Sequence, residues 1–331
     1  MKRTANIPVF VPHAGCPNAC IFCDQRTISG TQQSPRSDEV TAFCHEALAG
    51  LPKGIQKAEI AFFGGSFTAI DRGQMIALLE AVQPFRSHPQ MAGIRVSTRP
   101  DAIDREVLAI LKDYGVTAVE LGVQSLDDHV LEQNRRGHTA KDTESASCLI
   151  KEFGLELGHQ VMLGMYGDNA AGFCRTVERS IRMVPDTVRI YPVVVLRNTQ
   201  LHSLWQQGKY QPPRLEEAVE LGAHALQSYV SAGVRVIRMG LHASQQTEQN
   251  MAAGVYHPAF RELCESRVMY QAALERLSER PAGEYTLTVS AGATSKMVGQ
   301  HRQNVVALQK AGYQVAIRED EAVDYLKVIL E

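Results

Sequence analysis

Three cysteines on one short segment are the residues of this chain best suited to chemistry. Cys16, Cys20 and Cys23 follow the apolar stretch 7–11 with the spacing C-x-x-x-C-x-x-C. Three thiolates can ligate three irons of a [4Fe–4S] cluster and leave the fourth iron open to a substrate or cosubstrate. Because a cluster that only carries electrons usually has four protein ligands, this spacing indicates a catalytic iron–sulfur site.

A zinc site is the alternative for a short cysteine cluster. Structural zinc sites are usually closed by four ligands, often in paired C-x-x-C halves, and the chain contains no second C-x-x-C motif. His13, Asp24 or Cys44 could in principle supply the fourth ligand. The spacing and its context favour iron–sulfur over zinc.

Length and composition indicate a globular chain with a large core. The 331 residues are 44% hydrophobic, which suits one large domain or two, and we expect no membrane span. A formal net charge of −2 disfavours a protein that coats nucleic acid non-specifically. An odd number of cysteines does not indicate a disulfide framework, so we expect a reducing cytoplasm. The remaining cysteines are predicted to be small core residues: Cys44, Cys148, Cys174 and Cys264.

The elements that must position the cysteine segment alternate between strands and helices. Apolar runs such as 60–63 and 193–196 are typical of parallel strands covered on both faces. The predicted strands are 7–13, 57–63, 93–98, 116–123, 155–163 and 187–196. The predicted helices are 37–49, 71–83, 104–114, 127–153 with a break near Gly137, and 171–183, with N-caps at Ser37, Asp71 and Asp104. This alternation predicts a parallel sheet or (β/α) barrel, whose functional residues lie at the carboxyl ends of the strands.

The C-terminal part contains a different order of elements. A helix at 214–232, an edge strand at 234–241 and a helix at 258–279 are predicted to lead into it. Strands 285–290 and 313–317 enclose two short helices and the loop 299–302. This β-α-loop-α-β order resembles a minimal KH module, which clamps RNA with a G-x-x-G loop. The loop here is Gly-Gln-His-Arg, so Lys296, His301 and Arg302 would have to supply charge, and a small cap packed on the barrel is the alternative.

A pair of glycines, Gly64 and Gly65, follows the second predicted strand in the sequence Gly-Gly-Ser-Phe-Thr. Adjacent glycines at a strand end allow a ligand to approach the backbone closely, and exposed carbonyls there can accept from an ammonium group. An ordinary strand-to-helix turn is the alternative.

The motifs along the chain resemble those of a known family when they are taken in order. The cysteine spacing and the Gly-Gly turn are similar to those of radical S-adenosylmethionine (radical SAM) enzymes. The further motifs are Thr-Arg-Pro-Asp at 98–101, Glu-Leu-Gly-Val-Gln-Ser at 120–125, Arg-Gly-His-Thr at 136–139 and Ile-Tyr-Pro at 190–192. Together they resemble the radical SAM domain of the catalytic subunit of Elongator, and most of all its short bacterial relatives, over roughly residues 7–242.

This resemblance implies a fold, two cofactors and a chemistry. The fold would be α/β, an incomplete parallel (β/α) barrel in residues 1–245 with a small α+β appendage, the region that resembles a KH module, in residues 246–331. Cys16, Cys20 and Cys23 would ligate a [4Fe–4S] cluster, whose open iron binds SAM. One electron, supplied by a flavodoxin or ferredoxin, would cleave SAM to a 5′-deoxyadenosyl radical.

The resemblance also implies contacts to SAM. Gly64, Gly65 and Ser66 would receive the SAM amino group. By similarity to the more distant oxygen-independent coproporphyrinogen oxidases, polar contacts to SAM are implied for Ser97, Gln124, Arg136 and Gln160. Ser97 and Gln160 replace carboxylates of that family. The alternatives are a solvated charge at a helix end for Arg136 and a satisfied core amide for Gln160.

The substrate is implied less directly. Arg189, Tyr191 and Arg238 would line the barrel mouth and bind an anionic substrate such as a nucleic-acid backbone, the alternative being surface charges and a core tyrosine. Elongator-type enzymes modify the wobble uridine of tRNA with the help of an acetyltransferase domain. The sequence reaches Glu331 without such a domain, so we expect it not to perform that whole reaction alone.

Three functions remain open at this point. The first is a cytoplasmic radical SAM enzyme that modifies RNA, with tRNA as its partner and no membrane association. The second is a radical SAM enzyme that acts on a small molecule. The third is a non-catalytic RNA-binding protein that holds a metal ion or a cluster.

Overall fold

One curled parallel sheet organises most of the chain. The computed structural model describes residues 4–11, 20–24, 34–241 and 245–331. Seven strands pair in parallel in the order β1-β2-β3-β4-β5-β6-β8. They are β1 (Thr4–Val11), β2 (Lys57–Gly64), β3 (Met91–Thr98), β4 (Val116–Gln124), β5 (Glu156–Leu163), β6 (Thr187–Pro192) and β8 (Arg235–Met239).

Helices connect these strands and cover the sheet. They are α1 (Ser37–Ala49), α2 (Arg72–Ala81), α3 (Arg105–Asp113), α4 (Asp128–Gln133), α5 (Ala140–Glu152), α6 (Ala170–Arg182), α7 (Gln200–Gln206) and α8 (Leu215–Ser231). These helices pack on the sheet through an apolar face. Helix α3, for example, buries Val107, Leu108 and Leu111, which share one face at helical spacing. No helix in the described part of the chain is long and apolar enough to cross a membrane.

The curled sheet forms a half-barrel and confirms the predicted incomplete parallel (β/α) barrel. The predicted helix 127–153 is present as α4 and α5, with the break at 134–139 that includes Gly137. The predicted N-caps Asp71 and Asp104 are also confirmed. Ser37 is not the N-cap, because it is already the first residue of α1. Arg36 has an extended backbone and is the N-cap, and its backbone N–H donates to the Glu39 carboxylate.

One predicted strand is divided. Residues 187–196 form β6 and the short β7 (Val194–Leu196), which pairs antiparallel with β9 (Met251–Gly254) outside the main sheet. The N–H of Val193, between the two strands, donates to the carbonyl of Leu163 at the end of β5. Gly254, with φ +101°, permits the close approach of β9: a Cβ at Gly254 would lie 2.7 Å from the Val193 carbonyl oxygen. Short α9 (Gln245–Asn250) precedes this strand.

The C-terminal region has the predicted β-α-loop-α-β order. Long α10 (Phe260–Ser278) leads to β10 (Gly283–Ser290), α11 (Thr294–Val298), α12 (Gln303–Lys310), β11 (Tyr313–Asp320) and β12 (Val328–Leu330), with the sheet order β11-β10-β12. The buried Glu265 of α10 accepts from Arg261, Lys296 and Tyr325 and so ties this region to α10. The charge of Lys296 is therefore balanced. RNA binding by this region and a domain boundary at 245/246 stay predictions.

The cysteines outside the predicted cluster differ in their surroundings. Cys44 and Cys264 are buried in the core, as predicted, and Cys174 is half-buried. Cys148 is exposed, so its assignment to the core is wrong. Helix α5 turns Ala146, Ser147 and Ile150 inward, which leaves Cys148 on the outer face.

Candidate functional site

A cavity of ≈ 610 Å³ lies at the carboxyl end of the half-barrel. Alternate residues of neighbouring strands face it, as the strand pleat requires. These pairs are Gly122 and Gln124 on β4, Gln160 and Met162 on β5, and Arg189 and Tyr191 on β6. The other predicted site residues that line it are Cys20, Cys23, Gly64, Gly65, Ser97 and Arg136. Cys16 lies outside the described residues.

The segment 20–24 is held in place by Ile21. The N–H of Ile21 donates to the carbonyl of Asn134, and the carbonyl of Ile21 accepts from the N–H of Leu201. The Ile21 side chain is buried in a small apolar cluster separate from the main core. This satellite cluster comprises Ile21, Val130, Met165, Val193, Val195, Leu201 and Tyr210. Cys20 and Cys23, on either side of Ile21 and Phe22, thereby reach the cavity.

The Gly-Gly turn joins the ends of β1 and β2. Gly64 has φ +110°, and a Cβ there would lie 3.2 Å from the carbonyl oxygen of Val11. The N–H of Gly65 donates to that same carbonyl. Position 64 therefore favours glycine for two reasons: its positive φ and the close packing of β1 against it. Both glycines line the cavity, where their backbone is accessible to a ligand.

Ser66 follows this turn and stabilises it through buried hydrogen bonds. Its hydroxyl is buried, pairs with the hydroxyl of Thr98 at 2.8 Å and accepts from the N–H of Arg99. Ser66 is not among the residues that line the cavity. The serine thus links the turn to the end of β3, and its predicted contact with SAM stays a prediction.

Gln124 ends β4 in an unusual conformation. Its φ is +61°, and the pairing of β4 with β5 shifts register between Leu121 and Gln124. Its amide oxygen Oε1 is buried and has no hydrogen-bond partner within the described residues. A buried acceptor of this kind costs about 1–3 kcal/mol when it is unsatisfied. The backbone strain and the unpaired oxygen both indicate a ligand-binding position.

Arg136 turns inward from the loop between α4 and α5. Its Nη2 donates to the carbonyl of Gly122 at 2.8 Å, and its Nη1 donates to Sγ of Cys20 at 3.1 Å. Its Nε is buried without a partner in the described part of the chain. Arg136 is therefore not a solvated helix-end charge.

Gln160 and Arg189 share a buried carboxylate that the sequence analysis did not single out. The Glu120 carboxylate accepts from Nε2 of Gln160 at 2.9 Å and from both Nε and Nη2 of Arg189. The same Gln160 amide donates to the hydroxyl of Ser97. A further salt bridge joins Glu120 to Arg95. In the sequence Glu120 was visible as an acidic residue inside an apolar strand and as the first residue of the motif at 120–125, but no role was predicted for it.

The residues predicted to bind substrate are mostly paired within the protein. Arg189 is neutralised by Glu120 and lies over the ring of Phe63. Arg238 is half-buried, donates to the carbonyls of Gly240 and Leu241, and does not line the cavity. Tyr191 lines the cavity, and burial raises the pKa of its hydroxyl, which therefore stays protonated at neutral pH.

The donor set fits an iron–sulfur cluster and SAM. Two thiols, a backbone turn and two buried side chains, Gln124 and Arg136, border one cavity, and each of these side chains has a polar atom without a partner among the described residues. Of the groups considered for zinc, His13 lies outside the described residues. Cys44 is a poor ligand because burial raises the pKa of its thiol to about 11.

Comparison with known families and proteins shows what the chain is similar to. The family described as the Radical SAM superfamily matches residues 10–179, and the Radical_SAM C-terminal domain matches residues 185–270. A tRNA uridine(34) acetyltransferase of Dehalococcoides mccartyi is 29% identical over 232 residues, which are 60% of this chain and 50% of that protein. Elongator complex protein 3 of Mus musculus is 30% identical over 305 residues, which are 78% of this chain and 54% of that protein. The chain spans about half the length of these curated relatives.

Solved structures share the fold. The archaeal Methanocaldococcus infernus Elp3 with an N-terminal deletion matches with a TM-score of 0.63 at 22% identity, over 85% of this chain and 65% of that one. The coproporphyrinogen III oxidase HemN from Escherichia coli matches with a TM-score of 0.51 at 18% identity, over 70% of this chain and 53% of that one.

Proposed function

Because this chain belongs to the radical SAM superfamily, we propose that it cleaves S-adenosylmethionine reductively at a [4Fe–4S] cluster and uses the radical to modify tRNA. The shared cavity carries this proposal. Two of the three predicted cluster ligands and most of the predicted SAM contacts border the same space. Residues far apart in sequence thus meet where one cosubstrate would need them.

Each part of the cavity has a task in this proposal. Cys16, Cys20 and Cys23 hold the cluster, which when bound supplies the electron that cleaves SAM to a 5′-deoxyadenosyl radical. The backbone of Gly64 and Gly65 accepts from the SAM amino group. The unpaired Oε1 of Gln124 accepts from a ribose hydroxyl.

Ser97, Gln160 and Glu120 form a polar triad whose hydrogen bonds are mostly made within the protein. Nε2 of Gln160 donates to both partners, and the residue itself lines the cavity. The two family carboxylates that Ser97 and Gln160 replace have a neighbour here in Glu120, but its charge is balanced by Arg95 and Arg189. Ser97 and Gln160 therefore offer neutral hydrogen-bonding groups to the cosubstrate.

Apolar side chains form much of the cavity lining. The apolar lining comprises Pro8, Phe10, Phe22, Phe63, Met162, Pro192, Val194, Leu196 and Leu241. A dry surface is what a reactive radical requires, because water and exchangeable donors divert it.

Apart from Arg136, which is proposed to contact SAM, the cations that line the cavity are paired, so the space left for a substrate suits an uncharged planar group better than a phosphate. Arg189 is matched by Glu120, and Arg99, which also lines the cavity, is matched by Asp101. Tyr191 adds a protonated hydroxyl. A nucleobase fits this combination of aromatic rings and neutral hydrogen-bonding groups. This supports RNA as the substrate, as do the tRNA-directed names of the relatives.

The first experiment tests SAM cleavage. The protein is reconstituted anaerobically with iron and sulfide, and 5′-deoxyadenosine is measured after addition of SAM and dithionite. We expect product from the wild type, none from Cys20→Ala, and wild-type yield from the control Cys148→Ala, which removes an exposed cysteine. A loaded wild-type cluster that yields no 5′-deoxyadenosine would contradict the proposal, and protein that binds zinc and rejects iron would favour the non-catalytic alternative.

The second experiment tests the substrate. Binding to tRNA is measured across a range of salt concentrations, and deoxyadenosine formation is measured with and without tRNA. RNA recognition predicts a steep loss of affinity with rising salt and faster SAM cleavage in the presence of tRNA. Salt-independent or absent tRNA binding would favour the small-molecule alternative.

A flavodoxin or ferredoxin as electron donor and a cytoplasmic location belong to the same proposal.

A further inference from the structure

The guanidinium of Arg136 contacts one of the predicted cluster ligands. Its Nη1 lies 3.1 Å from Sγ of Cys20, and its Nη2 is fixed by the Gly122 carbonyl at 2.8 Å. The residue is 8% exposed. A guanidinium that is this well buried acts on its neighbours with little screening by water.

The backbone around Arg136 fixes the direction of this side chain. Its N–H donates to the carbonyl of Leu131, which closes the end of α4. The residues on either side have positive φ, +52° at Arg135 and +75° at Gly137. The same loop accepts the N–H of Ile21 at the carbonyl of Asn134. The loop 134–136 therefore contacts the cysteine segment twice, once through backbone and once through the guanidinium.

We infer that Arg136 is a positioning residue for Cys20 and raises the reduction potential of the cluster that Cys20 ligates. The inference rests on the function proposed above and adds a role to the predicted SAM contact. Reduction adds negative charge to the cluster, so a cation that donates to a ligand sulfur stabilises the reduced form more than the oxidised form. A guanidinium has five N–H donors and uses two here, so the others stay available to the SAM carboxylate.

The test measures the reduction potential of the reconstituted cluster without SAM, by redox titration followed by electron paramagnetic resonance. Four proteins are compared: the wild type, Arg136→Gln, Arg136→Lys and Arg135→Gln. Arg135→Gln is the matched control, because it removes the same charge from the neighbouring, exposed position. We expect a more negative potential in Arg136→Gln, a smaller shift in Arg136→Lys, which keeps the charge, and no shift in Arg135→Gln.

The outcomes separate this inference from the proposed function. Equal potentials in the wild type and Arg136→Gln overturn the inference, even if that variant binds SAM more weakly. A shift of the reduction potential in Arg135→Gln as large as that in Arg136→Gln also overturns it, because the shift would then reflect the net charge of the protein and not the contact with Cys20. If Arg136→Gln holds too little cluster to titrate, Arg136→Lys decides by the same criterion. A wild type that takes up no cluster contradicts the proposed function and, with it, the inference.

Discussion

The carboxylate of Glu120 accepts two hydrogen bonds from the guanidinium of Arg189, at 2.8 Å and 2.9 Å. The two residues are 69 positions apart, on β4 and β6, and both are buried. The pair joins the polar contacts of Gln160 to the wall formed by Phe63 and Tyr191. Arg189 is thus a fixed part of the cavity and not a free cation at its mouth.

Replacement of Glu120 is expected to destabilise the protein. Glu120→Gln leaves Arg95 and Arg189 buried with less compensating charge, which costs about 3 kcal/mol or more. Urea unfolding measures the change, and Glu46→Gln, at an exposed position of α1, is the control with an expected change within about 0.5 kcal/mol. Similar losses in the two variants would show that the buried charge network contributes nothing special.

Gly64→Ala is expected to affect both stability and SAM binding. The φ of +110° is strained for alanine, and its Cβ would lie 3.2 Å from the Val11 carbonyl, so we expect a loss of about 1–3 kcal/mol. Gly54→Ala is the matched control, because Gly54 has φ +98° with open space around it. Both variants should lose stability in urea unfolding, but calorimetry should show weaker SAM binding only for Gly64→Ala. Unchanged SAM affinity in that variant would argue against the Gly-Gly turn as the amine site.

Gln124→Ala is expected to weaken SAM binding with little loss of stability. In the protein without SAM its Oε1 has no partner among the described residues, so truncation removes no internal hydrogen bond from that atom. Loss of one hydrogen bond to SAM costs about 1 kcal/mol, or roughly a fivefold rise in the dissociation constant. Equilibrium binding of SAM to the loaded enzyme checks this, with the exposed Gln309→Ala on α12 as control. A dissociation constant equal to that of the wild type would remove Gln124 from the SAM site.

Two buried histidines predict a loss of stability in mild acid. Burial lowers the pKa of His159 to about 3, and burial together with the nearby Arg136 lowers that of His138 to about 4. An unfolded histidine has a pKa of about 6.5, so below that pH the unfolded chain binds protons that the folded chain does not. Each histidine therefore contributes stability above about pH 6.5 that is lost as the pH falls, by about 1.4 kcal/mol per pH unit.

His159→Gln isolates one of these contributions. His159 lies between the hydroxyls of Ser147 and Ser180, where a glutamine amide can also form hydrogen bonds. Between about pH 6 and pH 5, the slope of unfolding free energy against pH should be smaller in the variant by about one proton. The same slope in both proteins would mean that His159 is protonated in the folded state.

The sequence predicted the barrel because its signals are local. Apolar runs, acidic N-caps such as Asp71 and Asp104, and the break at Gly137 each act within a few residues. The β7–β9 pair was missed because Met-Ala-Ala-Gly at 251–254 carries no strand pattern and is ordered by a distant partner. The pairing of β7 with β9 thus depends on tertiary contacts that no local window contains.

Part of the candidate site was predictable from local motifs, and part of it depends on tertiary contacts. The cysteines, the glycine pair and the polar strand ends were visible as motifs, and the structure brings Cys20, Cys23, both glycines and the polar residues Ser97, Gln124 and Gln160 to one cavity. The partners of Arg136 and Arg189 were not visible, because Cys20 lies 116 residues from Arg136 and Glu120 lies two strands from Arg189. Such contacts depend on the register of the sheet and on which face each residue occupies.

The satellite cluster around Ile21 gives the cysteine segment a stability of its own. Because its seven residues pack apart from the main core, the cluster can open while the sheet stays folded. Native-state amide hydrogen exchange should therefore show lower protection at Ile21 than at Val119 of β4. The end of the molecule that is proposed to hold the cluster would then mature and turn over on its own timescale, decoupled from the cooperative unfolding of the barrel.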